Sequence, residues 1–401
     1  VTSVTNSQPT RTQPTVRSCP FDPPEEYRTL REQDPITPMT FPDGSTGWLV
    51  TRYEDVRTVL ADPRFSSKRR IMRAGDPAAQ GAPVPPPPPG MFIMMDAPEH
   101  TRFRRLLTGQ FTVRRMRQLA PAVERVVDEQ LDAMAKAEGP VDLVQAFALP
   151  VPSLVICELL GVPYADREEF QRNSATIVRL DASAEEIQQA QKAMRGYIHQ
   201  LVVAKRANPT DDILSDLVRS GELTDEELAG VGVLLLIAGH ETTANMIALS
   251  TMCLLRNPEQ LEALRADPSL MDRAVEELLR YLTVVQFGVR RTALEDVELH
   301  GHQIKAGSLV VASLASGNRD TARFTDAPEQ LDVGRPYSPH LAFGHGIHQC
   351  LGQQLARVEM KAALSALLER FPTLRLALPV EQVPMRDNML VYGVHELPVT
   401  W

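Results

Sequence analysis

Four cysteines in 401 residues, Cys19, Cys157, Cys253 and Cys350, are too few and too far apart to form a disulfide framework, and no two make a C-x-x-C pair. A reducing compartment follows. Basic charge is also short: 42 Lys and Arg stand against 51 Asp and Glu, for a net charge of −9, which argues against general nucleic-acid binding. No strongly apolar run approaches the ~18 residues of a membrane span; the longest lies around Val231 to Ala238. The first residues, Val1 to Thr12, lack the apolar core of a signal peptide. No repeat and no break in composition separates one half from the other. These absences predict a soluble, cytoplasmic chain built as one domain over 1–401, with a proline-rich segment of about 1–50 belonging to it, and a monomer is expected.

Proline is what the chain has in plenty. Seventeen of its 32 prolines fall in the first hundred residues, which makes that quarter extended and turn-rich. The run Pro83 to Pro89, interrupted only by Val84, is stiff and excludes helix. Beyond it the apolar spacing predicts amphipathic helices over Pro121–Ala135, Asp166–Val178, Glu185–Lys205 and Asp225–Leu255, after an earlier one at Tyr53–Leu60. Between Val284 and Val311 the period falls toward two, which predicts a small sheet, and Val50, Thr51 and Val391–Val399 add strand candidates. A structureless run, Asn318 to Phe343, precedes a last helix, Leu351–Phe371. The fold class is mainly α with a minor β region.

The densest chemistry is the string Phe343, Gly344, His345, Gly346, Ile347, His348, Gln349, Cys350, Leu351, Gly352. Its first two glycines permit a tight turn, and Gly352 leaves room for something flat and close. Cys350 is read at a helix N-terminus, where the dipole favours a thiolate suited to iron. Zinc ligation by His340, His345, His348 and Cys350 would crowd three ligands into six residues, against the usual spaced pairs. Cys157 and Cys253 read as buried small hydrophobes. A second cluster, Ala238, Gly239, His240, Glu241, Thr242, Thr243, interrupts an apolar helix. Buried polar groups need partners or work to do. Gly239 is read as opening space for a diatomic ligand, Thr242 as a hydrogen-bonding alcohol and Glu241 as a proton relay.

The cysteine string resembles the haem-binding loop of the cytochrome P450 family, and the likeness extends from Phe65 to Trp401. It implies the cytochrome P450 fold and a haem b cofactor held through an axial Cys350 thiolate, with Phe343, Gly344, Gly352 and Ala238 against the haem. It also implies propionate contacts from His100, Arg104, Arg291 and His348. Glu241 and Thr242, with Gly239, resemble the family's oxygen-activation motif. Of six E-x-x-R spacings, position selects Glu277 and Arg280, with Arg335 as third member of a structural triad that braces the haem loop. The family implies insertion of one atom of O2 into a C–H bond, with NAD(P)H electrons passing through a separate ferredoxin reductase and ferredoxin. A peroxide-driven peroxygenase and a non-catalytic haem sensor are the alternatives.

Six arginines and no acid between His100 and Arg117 (Arg102, Arg104, Arg105, Arg114, Arg115, Arg117) predict a basic face for an acidic ferredoxin. By the same resemblance the substrate pocket is lined by Ile93, Met94, Val178, Leu180, Leu234, Leu235, Val285, Phe287, Val289, Leu390 and Val391. Aliphatic and thioether side chains suit a bulky hydrophobic, polyketide-like or xenobiotic molecule, and Arg69, Arg70 and Arg73 stand upstream as candidate partners for a substrate carboxylate. The string Met95 to Arg105 resembles the bacterial subfamily that oxidises macrolides, vitamin D and xenobiotics, which brings in compactin, oxidised to pravastatin, as a substrate to test.

Overall fold

The computed structural model describes residues 11–68 and 86–401; Arg69, Arg70, Arg73 and the start of the proline run lie outside them. In chain order the helices are α1 (Glu26–Gln33), α2 (Tyr53–Ala61), α3 (Glu99–Thr108), α4 (Val113–Met134), α5 (Pro150–Leu160), α6 (Arg167–Val178) and α7 (Ala184–Ala207). Then come α8 (Ile213–Ser220), α9 (Asp225–Arg256), α10 (Pro258–Ala266), α11 (Met271–Leu282), α12 (Leu314–Gly317) and α13 (Gln353–Arg370). The strands are β1 (Arg11–Thr12), β2 (Ile36–Thr40), β3 (Thr46–Val50), β4 (Phe65–Ser66), β5 (Val141–Asp142) and β6 (Val289–Ala293). They continue as β7 (Val297–Leu299), β8 (His302–Ile304), β9 (Leu309–Ala312), β10 (Arg375–Leu376) and β11 (Pro398–Thr400).

Helix α9 is the axis of the molecule. A reciprocal capping box starts it: Thr224 Oγ1 accepts from the Glu227 N–H, and the Glu227 carboxylate accepts from the Thr224 N–H. By length and composition α9 could cross a bilayer, a property the run Val231 to Ala238 does not reveal, but 78% of its apolar window is buried inside the protein. It packs against α5, α7 and α13. Ala238 is exposed and Thr242 half-buried, one turn apart on a helix otherwise buried from Leu228 to Leu236 and from Thr243 to Leu254. That break in burial marks where α9 faces something other than protein.

Helix α4 starts eight residues before the predicted Pro121. Thr112 caps it by accepting from the Arg115 N–H, and Pro121 is carried inside because Met116, Val123, Val126 and Val127 pack on both sides of it. The six-stranded sheet has the order β1-β2-β3-β9-β6-β4, with β3 and β9 parallel and β2–β3 and β9–β6 antiparallel. The predicted strand at Val391–Val399 resolves into β11 and two isolated bridges, Val285 with Val391 and Met385 with Val394.

The end of the proline run sits backbone to backbone on α9. A Cβ on Gly230 would lie 1.8 Å from the Pro89 carbonyl oxygen, and one on Gly90 would lie 2.2 Å from that of Glu227. Neither glycine tolerates a side chain without displacing main chain. Gly230→Ala is therefore expected to cost about 1–3 kcal/mol. Gly196→Ala, on α7 with nothing within 4 Å, is expected to be neutral or to stabilise by up to about 1 kcal/mol. Paired thermal melts of the two variants check the difference.

Candidate haem-thiolate site

The cysteine loop closes on itself. The Cys350 N–H donates to the Phe343 carbonyl at 2.9 Å, and Gln349 N–H donates to Gly346 at 3.0 Å. Gly344 and Gly346 take φ of +69° and +74°, the left-handed region where glycine is favoured. At Gly346 a Cβ would also lie 2.5 Å from the Leu60 carbonyl of α2, so the turn is pressed against that helix. Gly352 meets nothing within 4 Å. The stretch from Ala342 to Gln354 is nowhere fully buried, although it lies between core elements.

One expectation changes here. Cys350 precedes α13 rather than opening it, since Gly352 is the cap residue. Burial pushes the Cys350 thiol up, against the Gly352 N–H, Arg104 and Arg357, which act to lower it. The helix dipole does not by itself make a thiolate; a coordinating cation is what deprotonates such a thiol.

Arginines and histidines gather around the loop. His100 packs on His348 with ring centroids 4.1 Å apart, and Arg104 Nη2 donates to the Gln349 carbonyl at 2.6 Å. His100 is 1% exposed, yet neither ring nitrogen has a hydrogen-bond partner. Arg291, 4% exposed, donates to the carbonyl of Arg290, and burial lowers its guanidinium to about 10. Arg104 and Arg291 bond to main-chain carbonyls rather than to acids. One buried and one half-buried arginine without acids, and an orphaned imidazole, beside a half-buried cysteine are a poor arrangement for a protein interior that binds nothing. They fit a flat, dianionic, metal-bearing group: Cys350 for its metal, His100, Arg104, Arg291 and His348 for its carboxylates. Zinc does not fit, because no group of three His, Cys, Asp or Glu side chains converges among the described residues.

A cytochrome P450 family model matches residues 178–400. Cytochrome P450-SU2 of Streptomyces griseolus is 50% identical over 385 residues, 96% of this chain and 94% of that one. This chain belongs to the cytochrome P450 family. The vitamin D3 dihydroxylase of Streptomyces griseolus is 45% identical, over 97% of this chain and 96% of its own. The crystal structure of CYP105P1 in complex with filipin I superimposes with a TM-score of 0.93 at 47% identity, covering 98% of this chain and 99% of that one. These relatives place the P450 with the bacterial CYP105 type.

In this P450 the acid–alcohol pair sits at the break in the burial of α9. Thr242 Oγ1 donates to the Ala238 carbonyl at 2.8 Å, which commits its proton to the helix and leaves its oxygen free to accept. Glu241 is 4% exposed and bonded to Arg386. Gly239 does not open space for a ligand: a Cβ there would lie 2.9 Å from Ile156, so the missing side chain lets α5 approach α9.

The six E-x-x-R pairs separate by burial. Glu277 and Arg280 are each 2% exposed and joined by two hydrogen bonds of 2.7 and 2.8 Å, and Arg335 Nε lies 3.1 Å from Glu277. Glu25–Arg28 and Glu54–Arg57 are exposed surface pairs.

The expected pocket walls are tied together by main-chain bonds. Leu390 N–H donates to Val178, Leu180 N–H to Asn388 and Tyr392 N–H to Val284, while Val285 bridges Val391. Leu234 and Leu235 belong to the main core, Val285 and Val289 pack on a second core cluster, and Met94 and Phe287 are half-buried. Ile93 and Leu390 keep 44% and 41% of their surface uncovered.

Glu276 is a site residue that the motifs do not single out. Its carboxylate accepts from His340 and Arg357 at 3.1 Å each, and the Arg357 guanidinium lies over the Phe343 ring at 4.6 Å. The one signal for it in the sequence is an acid immediately before Glu277, with a second arginine on the last helix. Burial alone would raise this carboxyl; His340 and Arg357 prevail and hold it at about 2. The folded value lies below the unfolded one, so the stabilisation is full above pH ~4.5 and is lost as pH falls toward 2. It amounts to ~3 kcal/mol at 1.36 kcal/mol per unit. Glu276→Gln is expected to lower stability at neutral pH and flatten the loss below pH ~4.5, as measured by denaturant unfolding across that range.

Proposed function

We propose that this P450 is a haem b monooxygenase that hydroxylates a bulky hydrophobic molecule with electrons from NAD(P)H, ferredoxin reductase and ferredoxin. The observation that carries the reading is the half-buried Cys350 with His100, Arg104, Arg291 and His348 gathered about it, the two arginines bonded only to carbonyls and His100 bonded to nothing.

Haem bound through Cys350 supplies the activation of O2 and the transfer of one oxygen atom to a C–H bond. The chain's own residues do the rest. Phe343 and the 344–346 turn hold the cysteine in place. Arg104 and Arg291 would neutralise two carboxylates, and His100 and His348 would donate hydrogen bonds to them. Thr242, its proton spent on Ala238, accepts a hydrogen bond from an O–H group at the open patch, and Glu241 moves protons toward it. The acid–alcohol pair is the feature that favours O2 over peroxide as oxidant. The CYP105P1 structure contains filipin I and one relative is named for vitamin D3; both names support a large hydrophobic substrate, and compactin is the first ligand to titrate.

The ferredoxin face is narrower than the arginine count implies. Arg102 pairs with Glu227 at 2.6 Å, Arg105 with Glu222 at 2.6 Å and Arg115 with Asp216 at 3.4 Å. Arg104 turns inward to Gln349. Arg114 and Arg117 stay exposed at the start of α4.

Two measurements test the reading. Cys350→Ala is expected to abolish the carbon monoxide difference band for which the family is named, and turnover is expected to require NAD(P)H and ferredoxin; product with peroxide alone marks a peroxygenase, and electron flow without product a sensor. Reversing the charge of Arg114 and Arg117 together is expected to raise the KM for ferredoxin by about 3–30-fold, roughly 0.3–1 kcal/mol per charge. Raised salt is expected to mimic the effect, and a salt-independent rate counts against docking there.

A further inference from the structure

The acid of α9 is not free. Glu241 Oε2 accepts a hydrogen bond from Arg386 Nη2 at 2.9 Å, while Oε1 stands 3.7 Å from His240 Nε2. Both side chains of the ion pair are nearly buried, at 11% for Arg386 and 5% for Glu241. His240 adds no charge: its Nδ1 lies 2.6 Å from the Leu236 carbonyl, its ring meets Phe170 edge-on, and burial holds the imidazole below its ordinary value. Arg386 thus supplies the positive charge at Glu241. It does so through one nitrogen, since its Nε has no hydrogen-bond partner. A single-point contact is easier to exchange than a two-point fork.

Arg386 is carried by the turn Met385–Val394, closed by its own N–H donating to Gly393 at 2.9 Å and by the Met385–Val394 bridge. The foot of this turn rests on α9. A Cβ on Gly393 would lie 1.7 Å from Asn245 Oδ1, and Asn245 Nδ2 donates to the Glu241 carbonyl at 2.7 Å. The tip of the turn holds the expected pocket walls, through Leu390 N–H to Val178 at 3.0 Å and Leu180 N–H to Asn388 at 2.9 Å. The same short segment therefore touches the acid at one end and the expected pocket walls at the other.

We propose that Arg386 is a positioning residue that holds Glu241 back until the pocket is filled, the turn 385–394 carrying the occupancy of the pocket to the acid. The inference rests on Glu241 acting as the proton relay and on Val178, Leu180 and Leu390 lining the substrate pocket. While the contact stands, Oε2 is occupied by an N–H donor. Once parted, that oxygen takes a proton from water and hands it on toward Thr242, one proton in and one out, with no other reactant. Substrate pressing on the tip at Leu390 shifts the foot, where a single hydrogen bond is all that must break.

The test needs no substrate. In the haem-loaded enzyme with ferredoxin, reductase and NAD(P)H, Arg386→Gln is expected to raise substrate-free peroxide release about 5-fold or more. The Glu241→Gln/Arg386→Gln double variant is expected to return to the Glu241→Gln level, because the leak runs through the acid. Arg386→Lys, which keeps the charge, is expected to stay within about twofold of wild type. Hydrogen exchange at the Leu390 and Tyr392 amides is expected to rise in Arg386→Gln; unchanged exchange overturns the coupling to the pocket. Peroxide release at the wild-type level in Arg386→Gln, or a leak that persists in the double variant, overturns the clamp. Should Glu241→Gln alone leave turnover and peroxide release unchanged, the relay reading itself fails. If Arg386→Gln does not load haem, Arg386→Met carries the same comparison.

Discussion

A carboxylate and a guanidinium removed from water together, Glu277 and Arg280, hold the rest of the site in register. An isolated charge at that depth costs several kcal/mol, so the pair survives only because every remaining donor is used. Arg280 also donates to the carbonyls of Asn318 and Pro328, and the Asp332 N–H adds a bond to Glu277. Asn318 in turn accepts from the Leu341 N–H at 2.6 Å, and Leu341 accepts from Gly344 N–H at 2.8 Å. Three links thus run from a buried ion pair to the turn that presents Cys350. The irregular chain between Asn318 and Phe343 has no strand of its own, and its polar groups are answered from α11, from Gln260 of α10, from the Tyr53 N–H of α2 and from within the stretch. Arg319, fully buried between Asp22 and Glu329 with its guanidinium 3.8 Å from the Tyr281 ring centroid, fastens the same stretch to the N-terminal segment.

Charge is distributed unequally across the site, and the inequality has chemical sense. On the cysteine side, Arg104 and Arg291 bond to main-chain carbonyls and not to acids. On the α9 side, one acid, Glu241, is matched by one arginine, Arg386, so that the pair is neutral where it is buried. Glu359 shows the cost of the opposite case. It is 1% exposed on α13, neither carboxylate oxygen has a hydrogen-bond partner in good geometry, and burial raises it well above its ordinary value, with only Thr243 to oppose. Such a setting favours the neutral form of a carboxyl over the charged one.

Much of the fold is legible in the amino-acid order. Helices α2, α6, α7 and α9 fall within two residues of their predicted bounds, because apolar spacing and caps such as Ser183–Glu186 and Thr224–Glu227 are local signals. Helix α4 outruns its prediction because proline reads as a start, and only the packing of Met116 and Val123 carries the helix past it. Gly239 reads as space for a ligand but serves Ile156, since a glycine in a sequence does not say which neighbour needs the space. Half of the six arginines spend their charge on Glu222, Glu227 and Asp216, acids more than a hundred residues away.

Contiguous residues specify the family, the cysteine loop and the acid–alcohol pair, because the chemistry of each depends on near neighbours along the chain. Only folding decides which donors are left without acids, which arginines are already paired, and that Glu241 faces Arg386 across 145 positions of chain. The physical reason is the same throughout. A side chain's charge and bonding capacity belong to its residue type, but whether they are spent or available depends on what folding brings within about 3 Å of them.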